Sequence, residues 1–353
     1  MTDCRARSGQ ALMRPIPSPP LRAAIVRCLL VGAALLGAAP AGAAPGGTAA
    51  APMLDPALPA YAPREDVAGT LTSAGSDTMN SLMALWADAF QRLHPGVNVE
   101  IQGAGSSTAP PALVEGTATL GPMSRPMKAG ELEAFESRHG YRPTGLRVAV
   151  DALAVFVNQD NPVAGLTIPE VDAIFSVTRR CGHVEDVRRW GQLGLAGEWT
   201  DRPLQLFGRN SVSGTYGYFK QTALCSGDFR ASVNEQPGSA SVVQAVGASL
   251  GGVGYSGLGF RTSGIRAVPL ARRAGAPYVA PRAEHAVDGS YPLSRYLYVY
   301  VNHRPDTPLP ALQREFLRLV LSATGQQLVL RDGYVPLPAA VAAEELRAVG
   351  VEP

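Results

Sequence analysis

Three short segments of the chain combine glycines with closely spaced hydroxyl side chains. They are Gly75-Ser76-Asp77-Thr78, then Gly103 to Thr108 with Ser106 and Ser107 inside it, and Arg209 to Thr215 with Ser213 and Gly214 near its end. Each follows a predicted strand and precedes a predicted helix. The first N–H groups of a helix lack intrahelical acceptors and lie at the positive end of its dipole, so such junctions favour anion binding. Arg209 adds a cation that can form two parallel hydrogen bonds with an oxyanion.

At any single junction, the serines and threonines could simply cap the following helix. Three junctions of the same composition favour a shared binding site over separate helix caps. We predict that they coordinate one tetrahedral anion through neutral donors and a guanidinium. Hydrogen bonds to a charged group contribute roughly 1.5 to 3 kcal/mol each. After desolvation and ordering costs, several of them can leave the roughly 8 kcal/mol that a micromolar Kd requires.

The elements that must position these junctions alternate between strands and amphipathic helices, which predicts parallel sheets covered on both faces. Strands are predicted at 71–75, 97–101, 204–207, 253–255 and 296–302, and helices at 78–93, 239–250 and 312–321. An apolar strand from Val148 to Asn158 contains one acid, Asp151. The length of 353 residues favours two lobes, and this strand is expected to leave the first lobe for the second.

The N-terminal region differs from the rest of the chain. Five arginines precede an apolar run from Cys28 to Ala39 and the small residues Ala41-Gly42-Ala43, which predicts a secretory signal peptide at 1–44. A leader rich in Ala, Pro and Gly follows at 45–66 and is predicted to be disordered. Without residues 1–44 the chain has 26 basic and 28 acidic residues, a near-neutral balance that argues against a nucleic-acid partner. The mature protein is therefore expected to be periplasmic or secreted.

Two cysteines, Cys181 and Cys225, follow the predicted signal peptide. An oxidising compartment would allow them to form one disulfide, and the alternative is two buried free thiols.

Motifs for other functions are weak. Gly247-Ala248-Ser249-Leu250-Gly251 matches the serine-hydrolase pattern GxSxG, but it follows a predicted helix instead of preceding one. The stretch Gly252 to Gly257 fits GxGxxG without leading into a helix, and no two of the five histidines have metal-ligand spacing. We therefore expect no catalytic residue, no metal and no cofactor.

Seven segments, in order along the chain, resemble the phosphate-binding proteins of phosphate ABC importers, members of the periplasmic binding protein family. They are GSDTMNSL, GAGSSTAPPALVEG, GPMSRPMK, VDALAVFVNQDNP, GRNSVSGTYGYFK, QPGSASVVQAV and GGVGYSG. The most specific is RxxxSGT, formed by Arg209, Ser213, Gly214 and Thr215. The resemblance covers residues from about Val67 to Pro338, nearly the whole mature chain.

The resemblance implies an α/β type II periplasmic-binding-protein fold, in which two lobes joined by a two-crossover hinge close around the ligand. Lobe I is expected at 67–150 plus 297–353, and lobe II at 151–296 with the hinge strands. The residues that it implies as phosphate ligands lie at the junctions described above. They are Ser76, Asp77, Thr78, Ser106, Ser107, Arg209, Ser213, Gly214 and Thr215.

One position departs from the family pattern. Many members carry an Asp, in a GxSD-like turn, that accepts the proton of hydrogen phosphate and thereby rejects sulfate. Ser124 stands at the corresponding position here, within Gly121 to Pro126. Our hypothesis is that Asp77 supplies the acceptor instead, because a carboxylate facing a fully deprotonated anion is penalised.

Two further residues have open roles. Arg125 could add positive charge to the site or form an exposed salt bridge. Asp151 could make an interlobe hydrogen bond, contact the ligand, or be a satisfied buried carboxylate.

The sequence thus predicts a monomer that captures inorganic phosphate and delivers it to the membrane permease subunits of an ABC importer, without catalysis. Two alternatives remain: a secreted phosphatase, and a surface adhesive or scaffold protein of the same fold.

Overall fold

The structure is a computed structural model that describes residues 54–352. The predicted signal peptide at 1–44 lies outside the described residues, and so does the predicted leader as far as residue 53. Within residues 54–352, no helix is both long and apolar enough to cross a membrane.

Eleven strands and ten α-helices are found in the described residues. The strands are β1 (Gly69–Ala74), β2 (Val97–Gln102), β3 (Gly121–Met123), β4 (Thr144–Asn158), β5 (Leu166–Thr167), β6 (Gln205–Arg209), β7 (Asn234–Gln236), β8 (Gly252–Gly257), β9 (Ile265–Ala267), β10 (Leu270–Ala271) and β11 (Ser294–Val301). The helices are α1 (Asn80–Leu93), α2 (Ala109–Glu115), α3 (Ala129–His139), α4 (Ile168–Phe175), α5 (Gly214–Thr222), α6 (Ser239–Gly247), α7 (Ala283–Val287), α8 (Ala311–Val320), α9 (Ala323–Arg331) and α10 (Ala339–Ala348).

The main sheet has the strand order β3-β11-β4-β8-β6-β7, and β9 pairs with β4. Strand β6 is parallel to β7 and β8, and β1 is parallel to β2 in a separate sheet. Strand β4, however, is antiparallel to both β11 and β8. The prediction of parallel sheets is therefore correct for β6, β7 and β8 but wrong for the rest of the main sheet, where β4 and β11 pair in antiparallel fashion with each other and with their other neighbours.

Strand β4 changes partners along its length. Its residues up to Ala152 pair with β11, and from Leu153 onward it pairs with β8 and β9. Asp151 lies just before this change, opposite Arg295 of β11. All eleven residues from Val148 to Asn158 are buried, in agreement with the apolar run in the sequence.

Helix α1 places the first junction. Its apolar stripe packs into the core, where Trp86 and Phe90 are fully buried, but the last member of the stripe, Leu93, is 45% exposed. The helix begins at Asn80, two residues after the predicted start at Thr78. Thr78 therefore belongs to the turn before the helix, and its side chain is available for a contact outside α1.

Helix α6 packs against β4 through apolar side chains. Val242 and Val246 form a buried cluster with Phe156 and Ile265. Burying a side chain of this kind contributes roughly 1.5 to 3 kcal/mol. This packing fixes the start of α6, and with it Ser239, at one end of the sheet.

The predicted disordered leader differs from the structure where the structure describes it. Leu58 is 6% exposed and packs in the main core. The Tyr61 hydroxyl donates to Glu315 Oε2 at 2.9 Å, and Asp55 Oδ2 accepts from the N–H of Ala339, the first residue of α10, at 2.9 Å. The prediction of disorder is therefore wrong for residues 54–66, because long-range contacts hold this segment against the core. Composition alone does not reveal such contacts.

Cys181 and Cys225 form a disulfide, with Cα atoms 5.4 Å apart and a sequence separation of 44. In the chain-entropy model, a loop of this size contributes about 4 kcal/mol by restricting the unfolded chain.

Candidate functional site

The first junction, at Gly75 to Thr78, lies against strand β3. Ser76 N–H donates to Pro122 O at 2.7 Å, and a Cβ on Gly75 would lie 2.1 Å from the same oxygen, so only glycine allows this approach. Ser76 and Thr78 are 2% and 1% exposed. No side chain caps α1, and Thr78 Oγ1 instead lies 2.9 Å from Thr215 Oγ1. The capping interpretation is therefore wrong for Thr78.

The second junction contacts both Ser124, just after β3, and the third junction. Gly105 adopts a φ of +125°, which L side chains rarely adopt, and a Cβ there would lie 2.8 Å from Val212 O. Ser107 N–H donates to Val212 O at 3.1 Å. The fully buried Ser106 accepts from Ser124 N–H at 3.0 Å through its Oγ, and the two Oγ atoms are 3.2 Å apart.

The third junction enters helix α5. Here the capping interpretation holds for Ser213, whose Oγ accepts from the N–H groups of Thr215 and Tyr216 at 3.1 and 3.4 Å. A Cβ on Gly214 would lie 2.2 Å from Ser106 Oγ and 2.6 Å from that of Ser124. The start of α5 thus lies directly against the hydroxyls of the second junction, and the three junctions meet at one place.

Arg209, at the end of β6, is 2% exposed. Its Nη1 donates to Ser239 Oγ at 2.9 Å, and its Nη2 donates to Asp77 Oδ1 and to Pro237 O at 3.1 Å. Its Nε is buried and has no acceptor among residues 54–352. An unsatisfied buried donor costs about 1 to 3 kcal/mol, so this N–H is suited to an acceptor that comes from outside the chain.

Asp77 is held by Arg209 and by the start of helix α6. Besides the ion pair, its Oδ2 accepts from Ser239 N–H at 3.1 Å and lies 3.5 Å from Ser239 Oγ. Its side chain is 17% exposed. The carboxylate of the first junction therefore fixes the guanidinium in place and contacts the start of α6.

Arg125 lies beside the site and is neutralised. Its guanidinium forms a bidentate ion pair with Glu131 at 2.6 and 2.7 Å, and it donates to Ser107 Oγ at 3.2 Å. Burial alone would raise the pKa of Glu131, but the hydrogen bonds from Arg125 and from the Lys128 N–H lower it. The salt-bridge interpretation is correct in kind, although the Arg125 side chain is only 6% exposed and the bridge is not a surface one.

Asp151 is completely buried and pairs with Arg295, whose Nε and Nη2 donate to Asp151 Oδ2 at 3.0 and 2.8 Å. The other oxygen, Oδ1, has no donor among the described residues. Arg295 also donates to the Ser124 carbonyl oxygen at 2.8 Å and to Thr215 Oγ1 at 3.0 Å. Asp151 therefore contacts the junctions through Arg295.

Sequence reasoning missed two residues of the site, Ser239 and Arg295. Ser239 is the first residue of α6 and directly follows Gly238, so the glycine-hydroxyl signature of the other junctions could have identified it. Arg295 stands within strand β11, where no local pattern marks it.

The rival motifs do not form active sites in the described residues. Gly247 ends helix α6, so the GxSxG stretch lacks the strand-turn-helix geometry of a nucleophile elbow. The GxGxxG stretch is strand β8 itself. Within residues 54–352, no group of three or more His, Cys, Asp or Glu side chains could hold a metal ion.

Comparisons with known proteins agree with this architecture. The model of the PBP superfamily domain matches residues 60–324. The phosphate-binding protein PstS of Pseudomonas aeruginosa is 60% identical over 303 residues, which cover 86% of this chain and 94% of that protein.

Two solved structures share the fold, which confirms the expected type II binding-protein architecture. One is an ABC-type phosphate transport receptor from Vibrio cholerae (TM-score 0.59, 22% identity, 76% of this chain, 100% of that chain). The other is a high affinity periplasmic phosphate-binding protein, PfluDING, bound with phosphate (TM-score 0.61, 16% identity, 80% of this chain, 96% of that chain).

The family model spans more than half of the chain, and the Pseudomonas relative aligns along most of both proteins. The chain therefore belongs to the PBP superfamily and, within it, to the PstS family of phosphate-binding proteins.

Proposed function

We propose that this protein binds inorganic phosphate between its two lobes and delivers it to an ABC importer, and that it is a solute-binding protein without catalytic activity. The observation that carries the proposal is the buried Arg209 Nε, which has no acceptor in residues 54–352 although both other guanidinium nitrogens are fixed. An oxyanion is the natural acceptor for such a donor, because a charge-assisted hydrogen bond is roughly twice as strong as a neutral one.

The proposed ligand set includes this guanidinium and residues of the three junctions. It comprises Ser76, Asp77, Thr78, Ser106, Ser107, Ser124, Arg209, Ser213, Gly214 and Thr215. Most of these residues would act through hydroxyl groups and through N–H groups at the start of helices. Ser213 Oγ already accepts two N–H groups, so its own proton is free to be donated to the anion.

Charge balance supports a small anion at this place. The two arginines of the site, Arg209 and Arg295, are each paired with one aspartate, so the four side chains together are neutral. The charge of the anion would then be balanced by hydroxyl and peptide dipoles in a site from which water is excluded. Hydrogen bonds of this kind, at roughly 1.5 to 3 kcal/mol each, are sufficient for a micromolar Kd or better.

Selectivity for phosphate would depend on Asp77. Ser124 can donate and accept hydrogen bonds, but it does not repel an unprotonated dianion as a carboxylate would. Asp77 is the carboxylate that borders the junctions, and its Oδ2 accepts only from Ser239 among the described contacts. A free lone pair on Asp77 would accept the proton of hydrogen phosphate and find no proton on sulfate.

Transport and location are proposed from the relatives. The name of the Pseudomonas protein describes phosphate binding, and the names of the two solved structures describe phosphate transport and a periplasmic location. By extension, the permease subunits of an importer would be the partner, and the protein would act as a periplasmic monomer after removal of residues 1–44. The phosphatase and adhesive alternatives gain no support from these names.

Isothermal titration calorimetry of the purified mature protein with phosphate, sulfate and arsenate tests the proposal. We expect one phosphate per chain with a Kd of about 1 µM or lower. Absence of phosphate binding would refute the proposal, and hydrolysis of a phosphomonoester, with or without divalent metal, would favour the phosphatase instead.

A further inference from the structure

Arg295 lies at the point where the crossing strands β4 and β11 meet the binding site. It stands opposite Asp151 in the register of the two strands. The side chains of Arg295 and Asp151 are 3% and 0% exposed, so the ion pair is enclosed by protein. The guanidinium also lies 5.3 Å from the ring centre of Tyr218, in a cation-π contact on the side of lobe II.

The remaining donors of Arg295 reach both sides of the cleft. Nη1 donates to the carbonyl oxygen of Ser124, within the expected lobe I, at 2.8 Å. Nη2 donates to Thr215 Oγ1, at the start of α5 in the expected lobe II, at 3.0 Å. One buried side chain therefore connects the two lobes beside the proposed phosphate ligands.

These contacts fix the direction of the hydrogen bonds. A guanidinium only donates, so Thr215 Oγ1 must accept from Arg295, and its own proton points to Thr78 Oγ1 or to a bound anion. Arg209 imposes the same direction on Ser239 Oγ, which lies 3.5 Å from Thr78 Oγ1 on the other side. A hydroxyl that accepts from a cation is itself a stronger donor.

We propose that Arg295 is a positioning residue that locks the closed cleft and sets Thr215 Oγ1 as a donor to the bound phosphate. This inference rests on the function proposed above. Opening of the cleft separates the Ser124 turn from the start of α5, so at least one of the two Arg295 contacts must break. In this proposal the contacts form as the lobes close around the ligand, so Arg295 slows phosphate dissociation and leaves the association rate unchanged.

The test replaces the ion pair by a neutral polar pair, Asp151→Asn with Arg295→Gln. The double variant avoids an unpaired buried charge, which would itself strongly destabilise the protein. The matched control is Arg147→Gln with Glu345→Gln. Arg147 also lies on β4, and its ion pairs with Glu344 and Glu345 of helix α10 involve none of the proposed ligands within residues 54–352.

Radiolabelled phosphate is bound to each protein and chased with unlabelled phosphate to give the dissociation rate, and rapid mixing gives the association rate. We expect dissociation to be at least about tenfold faster in the Asp151/Arg295 variant, with association within about threefold of the parent protein. The control pair should match the parent in both rates. Circular dichroism confirms that each variant is folded at the assay temperature.

A second measurement shows whether Arg295 acts through the hydroxyl. In a Thr215→Val background, the same double substitution should accelerate dissociation by a clearly smaller factor, since the oriented group is already missing. An unchanged dissociation rate in the folded double variant would overturn the inference, and so would an equal factor in both backgrounds. If the parent protein itself fails to bind phosphate, it is the proposed function that is wrong.

Discussion

Thr78 Oγ1 and Thr215 Oγ1 lie 2.9 Å apart, although 137 residues separate them in the chain. One hydroxyl precedes helix α1, and the other belongs to the first turn of helix α5. Their contact brings the first and third junctions, which are expected to belong to different lobes, to the same point.

Arg209→Ala should weaken phosphate binding by about 3 to 5 kcal/mol, because it removes the buried guanidinium and leaves Asp77 unpaired beside the anion. Calorimetry with phosphate measures the effect. Arg189→Ala is the control, since Arg189 forms an exposed ion pair with Asp201. The phosphate affinity of this variant should equal that of the parent protein. A loss below tenfold for Arg209→Ala would contradict the assigned role.

Asp77→Asn should reduce the discrimination between phosphate and sulfate. An amide no longer penalises an unprotonated dianion, and a charge-assisted hydrogen bond of roughly 1.5 to 3 kcal/mol corresponds to a tenfold to hundredfold change in the ratio of the two affinities. Competition calorimetry with both anions gives this ratio for the parent and the variant. If sulfate displaces phosphate from the parent protein at equal concentration, Asp77 does not provide the selectivity.

Gly214→Ala should weaken phosphate binding by at least about fivefold, because overpacking of this size costs roughly 1 to 3 kcal/mol. Its Cβ would lie 2.2 Å from Ser106 Oγ, so closure of the cleft would require the junctions to move apart. Gly130→Ala in helix α3 is the matched control, since its Cβ would meet no atom within 4 Å. Equal affinities for the two variants would show that the junctions are not in contact when phosphate is bound.

Cys181→Ser with Cys225→Ser should lower the free energy of unfolding by about 4 kcal/mol, because the open loop gains conformational entropy in the unfolded state. Urea denaturation of parent and variant measures the difference. Phosphate affinity should stay the same at temperatures where the variant is folded, since neither cysteine contacts the junctions. Identical denaturation curves for the variant and for the parent kept without reductant would indicate that the disulfide does not form in solution.

Local features of the fold and of the site could be predicted from the sequence. The alternation of Val97, Val99 and Ile101 and the apolar stripe of α1 are repeated within a few residues, so they define a strand and a helix without reference to the rest of the chain. The junctions combine glycine and hydroxyl residues for equally local reasons. The family resemblance along the chain then gave the fold and the ligand class, which the comparisons bear out.

Which side chains meet across the molecule was decided only by the tertiary structure. Arg295 and Asp151 are 144 residues apart, and a single arginine in an apolar strand carries no signal of its partner. The same holds for the contact of Tyr61 with Glu315 and for the order of residues 54–66. Periodicity and turn chemistry act over a few residues, whereas pairing across sheets and lobes depends on the packing of the whole chain.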